Sequence, residues 1–157
     1  MIKLFAMDVD GTLTDGGIYM DGRGGELKRF DVQDGQGIAE LLKAGVKVVF
    51  VSGRMSAPTQ QRALNLKITE CLTGVSDKAN CLKELAAKWS FSPEEVAYAG
   101  DDTPDADAIR WAGIGFAVAN ARPCVKEAAD VVTDKSGGYG AIRECVEYIK
   151  KYNGESN

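Results

Sequence analysis

Six short apolar runs, most of them rich in valine, isoleucine or alanine, are separated by stretches of helical pattern, and this alternation admits few folds. Strand, helix and strand in repeated succession build parallel βαβ units, and an all-parallel sheet is buried on both faces by helices. The runs predict strands at Ile2–Met7, Val46–Val51, Glu70–Leu72, Val96–Ala99, Gly115–Val118 and Val131–Val132. Helices are predicted over Gly37–Ala44, Ala57–Leu66, Lys78–Trp89, Asp105–Trp111, Pro123–Ala128 and Ala141–Tyr152. The expected fold class is α/β, a three-layer Rossmann-like parallel sheet with helices on both faces. With 157 residues, 45% of them hydrophobic, the chain is long enough for one domain with a real core, residues 1–157.

One segment breaks the alternation. Residues 17–31 carry two short extended runs around the Gly-rich turn Asp21-Gly22-Arg23-Gly24-Gly25, which predicts a β-hairpin flap. Ligands of open α/β sheets bind beyond the carboxyl ends of the strands, so a hairpin directly after the first strand projects beside the expected site.

Composition removes several chemistries. The chain has no histidine, which excludes histidine-dependent triads and histidine metal sites. Its four cysteines, Cys71, Cys81, Cys124 and Cys145, form no C-x-x-C pair and are read as reduced packing residues. A net charge of −4 argues against nucleic acid as a partner. No apolar run approaches a membrane span, and Met1-Ile2-Lys3-Leu4 enters a strand without the pattern of a signal peptide, so the expected location is cytoplasmic.

Carboxylates, lysine, arginine and hydroxyls must then carry the chemistry, and they gather at strand ends. The first strand delivers Asp8-Val9-Asp10-Gly11-Thr12; in extended chain Asp8 and Asp10 would face the same side and repel, a strain that a cation such as magnesium would relieve. The second strand ends in Ser52-Gly53-Arg54 shortly before a helix start, a combination suited to an anionic phosphate and equally to a simple helix cap. The fourth ends in Gly100-Asp101-Asp102-Thr103-Pro104-Asp105, where Thr103 is read as the helix N-cap, and Asp101 and Asp102 are left for a cation. Lys78 follows Ser76-Asp77 at a helix start, where the macrodipole disfavours a cation by about 0.3–1 kcal/mol. A lysine held there has a use in offsetting phosphate and carboxylate charge.

Taken together, Asp8-Val9-Asp10-Gly11-Thr12, Ser52, Lys78 and Gly100-Asp101-Asp102 resemble the four motifs of the haloacid-dehalogenase superfamily, in order and over nearly the whole chain. The resemblance implies a magnesium-dependent phosphatase in which Asp8 forms an aspartyl-phosphate and Asp10 first protonates the leaving alcohol, then activates water. It also implies that the Asp8 and Asp101 carboxylates and the Asp10 backbone carbonyl bind Mg2+, with Asp102 or Asp105 in support, while Ser52 and Lys78 hold the phosphoryl group.

Many superfamily members carry an inserted cap domain. Only 25 residues lie between Ser52 and Lys78, which leaves no room for one. The stretch from Asp8 to Phe30, together with Ser136-Gly137-Gly138-Tyr139-Gly140-Ala141-Ile142-Arg143-Glu144, resembles the capless 3-deoxy-D-manno-octulosonate 8-phosphate phosphatases of lipopolysaccharide biosynthesis. That likeness implies a homotetramer in which a neighbour closes each site, and a sugar phosphate as substrate. Gly53 and Arg54 then bear on specificity, since a guanidinium suits a sugar-acid carboxylate and relatives acting on nine-carbon 9-phosphates tend to have glutamate here. Thr103-Pro104 departs from the subgroup's usual aliphatic pair. A nonulosonate 9-phosphate phosphatase, a phospho-accepting receiver domain and a non-catalytic assembly module stand as alternatives.

Overall fold

The computed structural model describes residues 1–154, so positions 155–157 of the expected domain lie outside the described residues. Six parallel strands form the sheet: β1 (Leu4–Met7), β4 (Lys47–Val51), β5 (Glu70–Leu72), β6 (Val96–Gly100), β7 (Ile114–Ala117) and β8 (Val131–Val132). Their spatial order is β5-β4-β1-β6-β7-β8. β1 is central, with Leu4 in register with Lys47 on one side and Val96 on the other. Between the strands run α1 (Val32–Lys43), α2 (Ala57–Asn65), α3 (Lys78–Lys88), α4 (Ala106–Trp111), α5 (Pro123–Ala128) and α6 (Ala141–Tyr152).

The two-residue alternation of β1 divides the core. Phe5 and Met7 point to the face covered by α1, α2 and α6, where they meet Ile38, Leu41, Ala63, Val146 and Ile149. Leu4 and Ala6 point to the other face, packed against Leu82 and Leu85 of α3, Ile109 of α4 and Val125 of α5. All four β1 side chains are fully buried, and each large one contributes about 1.5–3 kcal/mol by leaving water.

The predicted hairpin consists of β2 (Tyr19–Met20) and β3 (Glu26–Leu27), antiparallel, with Tyr19 opposite Leu27 and Met20 opposite Glu26. Asp21 shapes its turn by accepting from the N–H groups of Arg23 and Gly25. Among the described residues only two 3-10 turns, Pro93–Glu95 and Thr103–Asp105, are added between the strands, and no helix is long and apolar enough to cross a membrane.

Several element ends differ from the sequence reading by one or two residues, β1 starting at Leu4 instead of Ile2, and two differences have a plain physical reason. α1 begins at Val32, five residues before the expected Gly37, because Asp31 caps it by accepting from Gln33 and Asp34 N–H. The two glycines there serve close packing: a Cβ on Gly35 would lie 2.4 Å from the Arg62 guanidinium, and one on Gly37 would lie 2.9 Å from Arg143 Cδ. Thr103 is not the N-cap before α4. Asp102 takes that place, accepting from Thr103 N–H, and a single 3-10 turn, Thr103–Asp105, precedes the α-helix. β7 spans Ile114–Ala117 and so starts and ends one residue earlier than predicted.

Candidate active site

At the carboxyl end of the sheet, β1, β4 and β6 release the chain side by side, which brings Asp8, Ser52 and Asp101 to one edge. Asp8 is still tied to the sheet, its N–H donating to Ala99 O at 3.0 Å. The chain then turns sharply, with Val9 O accepting from the N–H groups of Thr12, Leu13 and Thr14. Gly11 makes that turn possible at φ +86°, and its missing side chain leaves room for Asp101, whose Oδ2 would lie 2.2 Å from a Cβ there.

Because the strand ends at Met7, Asp10 does not share a volume with Asp8 as extended chain would require. The crowding falls on Asp8, Asp101 and Asp105, whose carboxylate oxygens lie within 4.8 Å of one another. Lys78 neutralises part of it. Its Nζ donates to Asp8 Oδ1 at 2.7 Å and Asp105 Oδ1 at 2.9 Å, with 6% of its side chain exposed. The macrodipole penalty at the start of α3 is thereby offset by two buried ion pairs. Burial works against the ammonium, yet the charges of Asp8 and Asp105 outweigh it and raise the Lys78 pKa above the ordinary lysine value.

Asp105 organises this cluster. Oδ1 accepts from Lys78 and from Tyr98 OH at 2.7 Å, while Oδ2 accepts from the N–H groups of Asp101 and Asp102, both at 3.1 Å. With both oxygens doubly occupied, Asp105 fixes Lys78 and the Asp101 loop and has little capacity left for a ligand. Asp101 accepts from Thr12 Oγ1 at 3.0 Å, and the same hydroxyl lies 3.4 Å from Asp8 Oδ2. Asp102 points elsewhere: it caps the 3-10 turn, with a largely exposed carboxylate 4.0 Å from Arg122.

Burial, then the charge of Asp105, push the Asp8 carboxyl well above the usual range against the pull of Lys78. Burial also raises Asp101. Two hard-oxygen donors whose ionised forms are disfavoured, side by side at a sheet edge, form a donor set that magnesium fits, since its charge would reverse both penalties.

Asp10 has its own cations. Oδ1 lies 2.8 Å from Lys28 Nζ, close in distance but off the hydrogen-bonding direction, and Oδ2 lies 3.8 Å from the Arg54 guanidinium. Arg54 is also held by Glu26 Oε2 at 3.3 Å and keeps nearly half of its side chain exposed. Ser52 is buried, and its hydroxyl donates to Arg54 O at 3.1 Å. Gly53 has open surroundings, with Val75 O 3.6 Å from where a Cβ would stand.

Lys28, Thr12, Tyr98 and Glu26 escaped the sequence reading. The one available signal was the pair Glu26 and Lys28, two residues apart on an extended segment and therefore on one face.

The haloacid dehalogenase-like hydrolase family profile matches residues 67–144. The 3-deoxy-D-manno-octulosonate 8-phosphate phosphatase KdsC of Escherichia coli K12 is 40% identical over 148 residues, covering 94% of this chain and 79% of that protein. The structure superposes with a TM-score of 0.93 on the Moraxella catarrhalis 3-deoxy-D-manno-octulosonate 8-phosphate phosphatase in complex with magnesium, phosphate and KDO, at 43% identity over 96% of this chain and 86% of that one. The cobalt-bound Haemophilus influenzae phosphatase gives the same TM-score at 38% identity, covering 98% of this chain and 90% of that one. Strand order, the capless sheet edge and these similarities agree: the chain belongs to the haloacid dehalogenase-like hydrolases.

Proposed function

We propose that this chain is a magnesium-dependent phosphatase of a sugar-acid phosphate, 3-deoxy-D-manno-octulosonate 8-phosphate, acting through an aspartyl-phosphate. The observation that carries the reading is the separation of two acids: Asp8 is tied through Lys78 to Asp105 and lies beside Asp101, while Asp10 stands apart under Lys28 and Arg54. One carboxylate is placed to attack and the other to move protons.

The Asp8 and Asp101 carboxylates and the Asp10 backbone carbonyl would hold the metal. Bound magnesium supplies the charge that keeps Asp8 ionised and offsets the phosphoryl oxygens. Asp8 needs no base to attack phosphorus once ionised. As the ester P–O bond breaks, its electron pair stays on the alcohol oxygen, which takes a proton from Asp10. Asp10, now ionised, removes a proton from water as that water attacks the aspartyl-phosphate; inorganic phosphate leaves and Asp8 is regenerated. Lys78 and the Ser52 region stabilise the transferring group. Arg54, at the exposed rim of the site, is the group that would meet a sugar-acid carboxylate.

The reading includes a homotetramer whose hairpins meet and whose neighbours complete each site. In its support, the outer face of the hairpin is apolar and uncovered, with Tyr19 at 65% and Leu27 at 70% exposure, and Met20 on the other face is 77% exposed. The hairpin is a flap in this reading, belonging to the same single domain as the sheet. A cytoplasmic location is part of it too, supported by four cysteines that form no disulfide.

Phosphate release is measured for the octulosonate 8-phosphate and a nonulosonate 9-phosphate, with magnesium and with EDTA. The reading expects a higher kcat/KM for the former, dependence on the metal, and loss of turnover in Asp8→Asn. Turnover surviving in Asp8→Asn would remove the nucleophile assignment, and preference for the nine-carbon ester would remove the substrate.

A further inference from the structure

Lys28 is the most completely covered ammonium in the site. None of its side chain is exposed, although its backbone lies at the edge of a hairpin whose other residues are largely solvated. A buried lysine costs several kcal/mol unless its partners replace the lost water. Two partners do so here, Asp10 Oδ1 at 2.8 Å and Thr59 Oγ1 at 3.2 Å, the latter a fully buried hydroxyl of α2. An exposed lysine making an incidental ion pair would have neither the burial nor the second anchor.

The strand pattern shows how it arrives there. Glu26 and Lys28 face inward and Leu27 outward, so the return strand presents one acid and one base to the site. Lys28 reaches one oxygen of Asp10 directly. Glu26 reaches the other through Arg54, which lies 3.3 Å from Glu26 and 3.8 Å from Asp10 Oδ2. Both oxygens of Asp10 are therefore located by the hairpin, whereas Asp8 depends on α3. Oδ1, the atom that Lys28 holds, is fully covered, so Oδ2 is the oxygen left to carry a proton.

We infer that Lys28 is a positioning residue that aims the Asp10 carboxylate at the leaving oxygen, making the hairpin's return strand part of the proton-transfer apparatus. This rests on the reading above in which Asp10 protonates the alcohol. Removing the tether slows esters whose leaving group must be protonated and spares those whose leaving group departs as a stable anion.

The test compares single-turnover release of alcohol from the octulosonate 8-phosphate with the burst of p-nitrophenolate from p-nitrophenyl phosphate, in magnesium-loaded wild type, Lys28→Met and Asp10→Asn. In Lys28→Met the sugar ester is expected to slow roughly 10- to 100-fold, within the 10²–10⁴ that a general acid supplies. The p-nitrophenolate burst should stay within about 3-fold of wild type, as no proton donor assists it. Equal loss on both esters would reduce Lys28 to a structural tether, and no loss on either would remove it from the mechanism. If Asp10→Asn shows no dependence on the leaving group, the Asp10 reading itself falls; if Asp10→Asn shows it and Lys28→Met does not, only the present inference falls. Should Lys28→Met not fold, Thr59→Val takes its place, keeping the charge and removing one anchor, with roughly a 2- to 10-fold loss confined to the sugar ester.

Discussion

Asp34 offers a quantitative test of how this fold handles a buried charge outside the site. It sits in the first turn of α1 and reaches across to α6, accepting from Arg143 N–H at 2.9 Å, so the starts of two helices bear on one fully buried carboxyl. Helix starts favour an anion. Burial nevertheless wins, with the charge of Asp31 adding to it, and the Arg143 N–H only moderates the result, leaving Asp34 at about 6 instead of 3.8. Its second oxygen has no hydrogen-bond partner. A carboxyl whose folded pKa is raised contributes its full share to stability below its unfolded pKa of 3.8 and loses it as pH climbs through 6. At about 1.4 kcal/mol per pH unit the loss approaches about 3 kcal/mol by pH 8, of which about 2 kcal/mol falls between pH 4.5 and 8. Asp34→Asn keeps an oxygen for Arg143 N–H and does not titrate. Urea unfolding of both proteins at pH 4.5, 6 and 8 should show the stability of the variant relative to wild type rising by about 2 kcal/mol across that range. A difference that stays flat within about 0.5 kcal/mol, or that moves the other way, would refute the claim that burial dominates at this position.

Three further outcomes follow from the site. Lys78→Met leaves Asp8 and Asp105 buried without their shared cation, so unfolding at pH 7 should show a loss of about 3–5 kcal/mol, and lowering the pH toward 5 should recover part of it as the carboxyls protonate. Gly11→Ala drives a Cβ onto Asp101 Oδ2 and strains a left-handed residue, so titration calorimetry should show magnesium affinity reduced at least about 10-fold while the circular dichroism spectrum is kept. Leu27→Glu places a charge on the apolar outer face of the hairpin, and light scattering should report a smaller assembly than wild type, with a raised KM if a neighbour completes the site.

What could be read from the sequence was local in character. Asp8 at the end of a buried strand, Asp101 at the end of another and Lys78 just inside a helix start each announce themselves within five or six residues, and a parallel sheet brings such ends together automatically. Lys28 could not be found that way, since its partners Asp10 and Thr59 are met only after the hairpin folds back and α2 packs beside it. The α1 boundary was hidden for a related reason. Gly35 falls outside the expected helix and Gly37 only opens it, and the approach of Arg62 and Arg143 shows that a longer helix needs both bare. Asp102 was drawn toward the metal by its place at the strand end and by the resemblance, whereas its Oδ1 caps the 3-10 turn and its carboxylate faces solvent.

The central position of β1 has a kinetic side. The strand earliest in the chain pairs with residues beginning at Lys47 and at Val96, so its second sheet neighbour is missing until more than half of the sequence is available. Closing such loops before any pairing is gained is slow. Lys78 and Asp105, which balance the charge on Asp8, come later in the sequence than the first of these neighbours. The charge of Asp8 can therefore be balanced only after Lys78 and Asp105 have emerged, so the nucleophile at the very start of the chain is finished by residues from its middle and beyond.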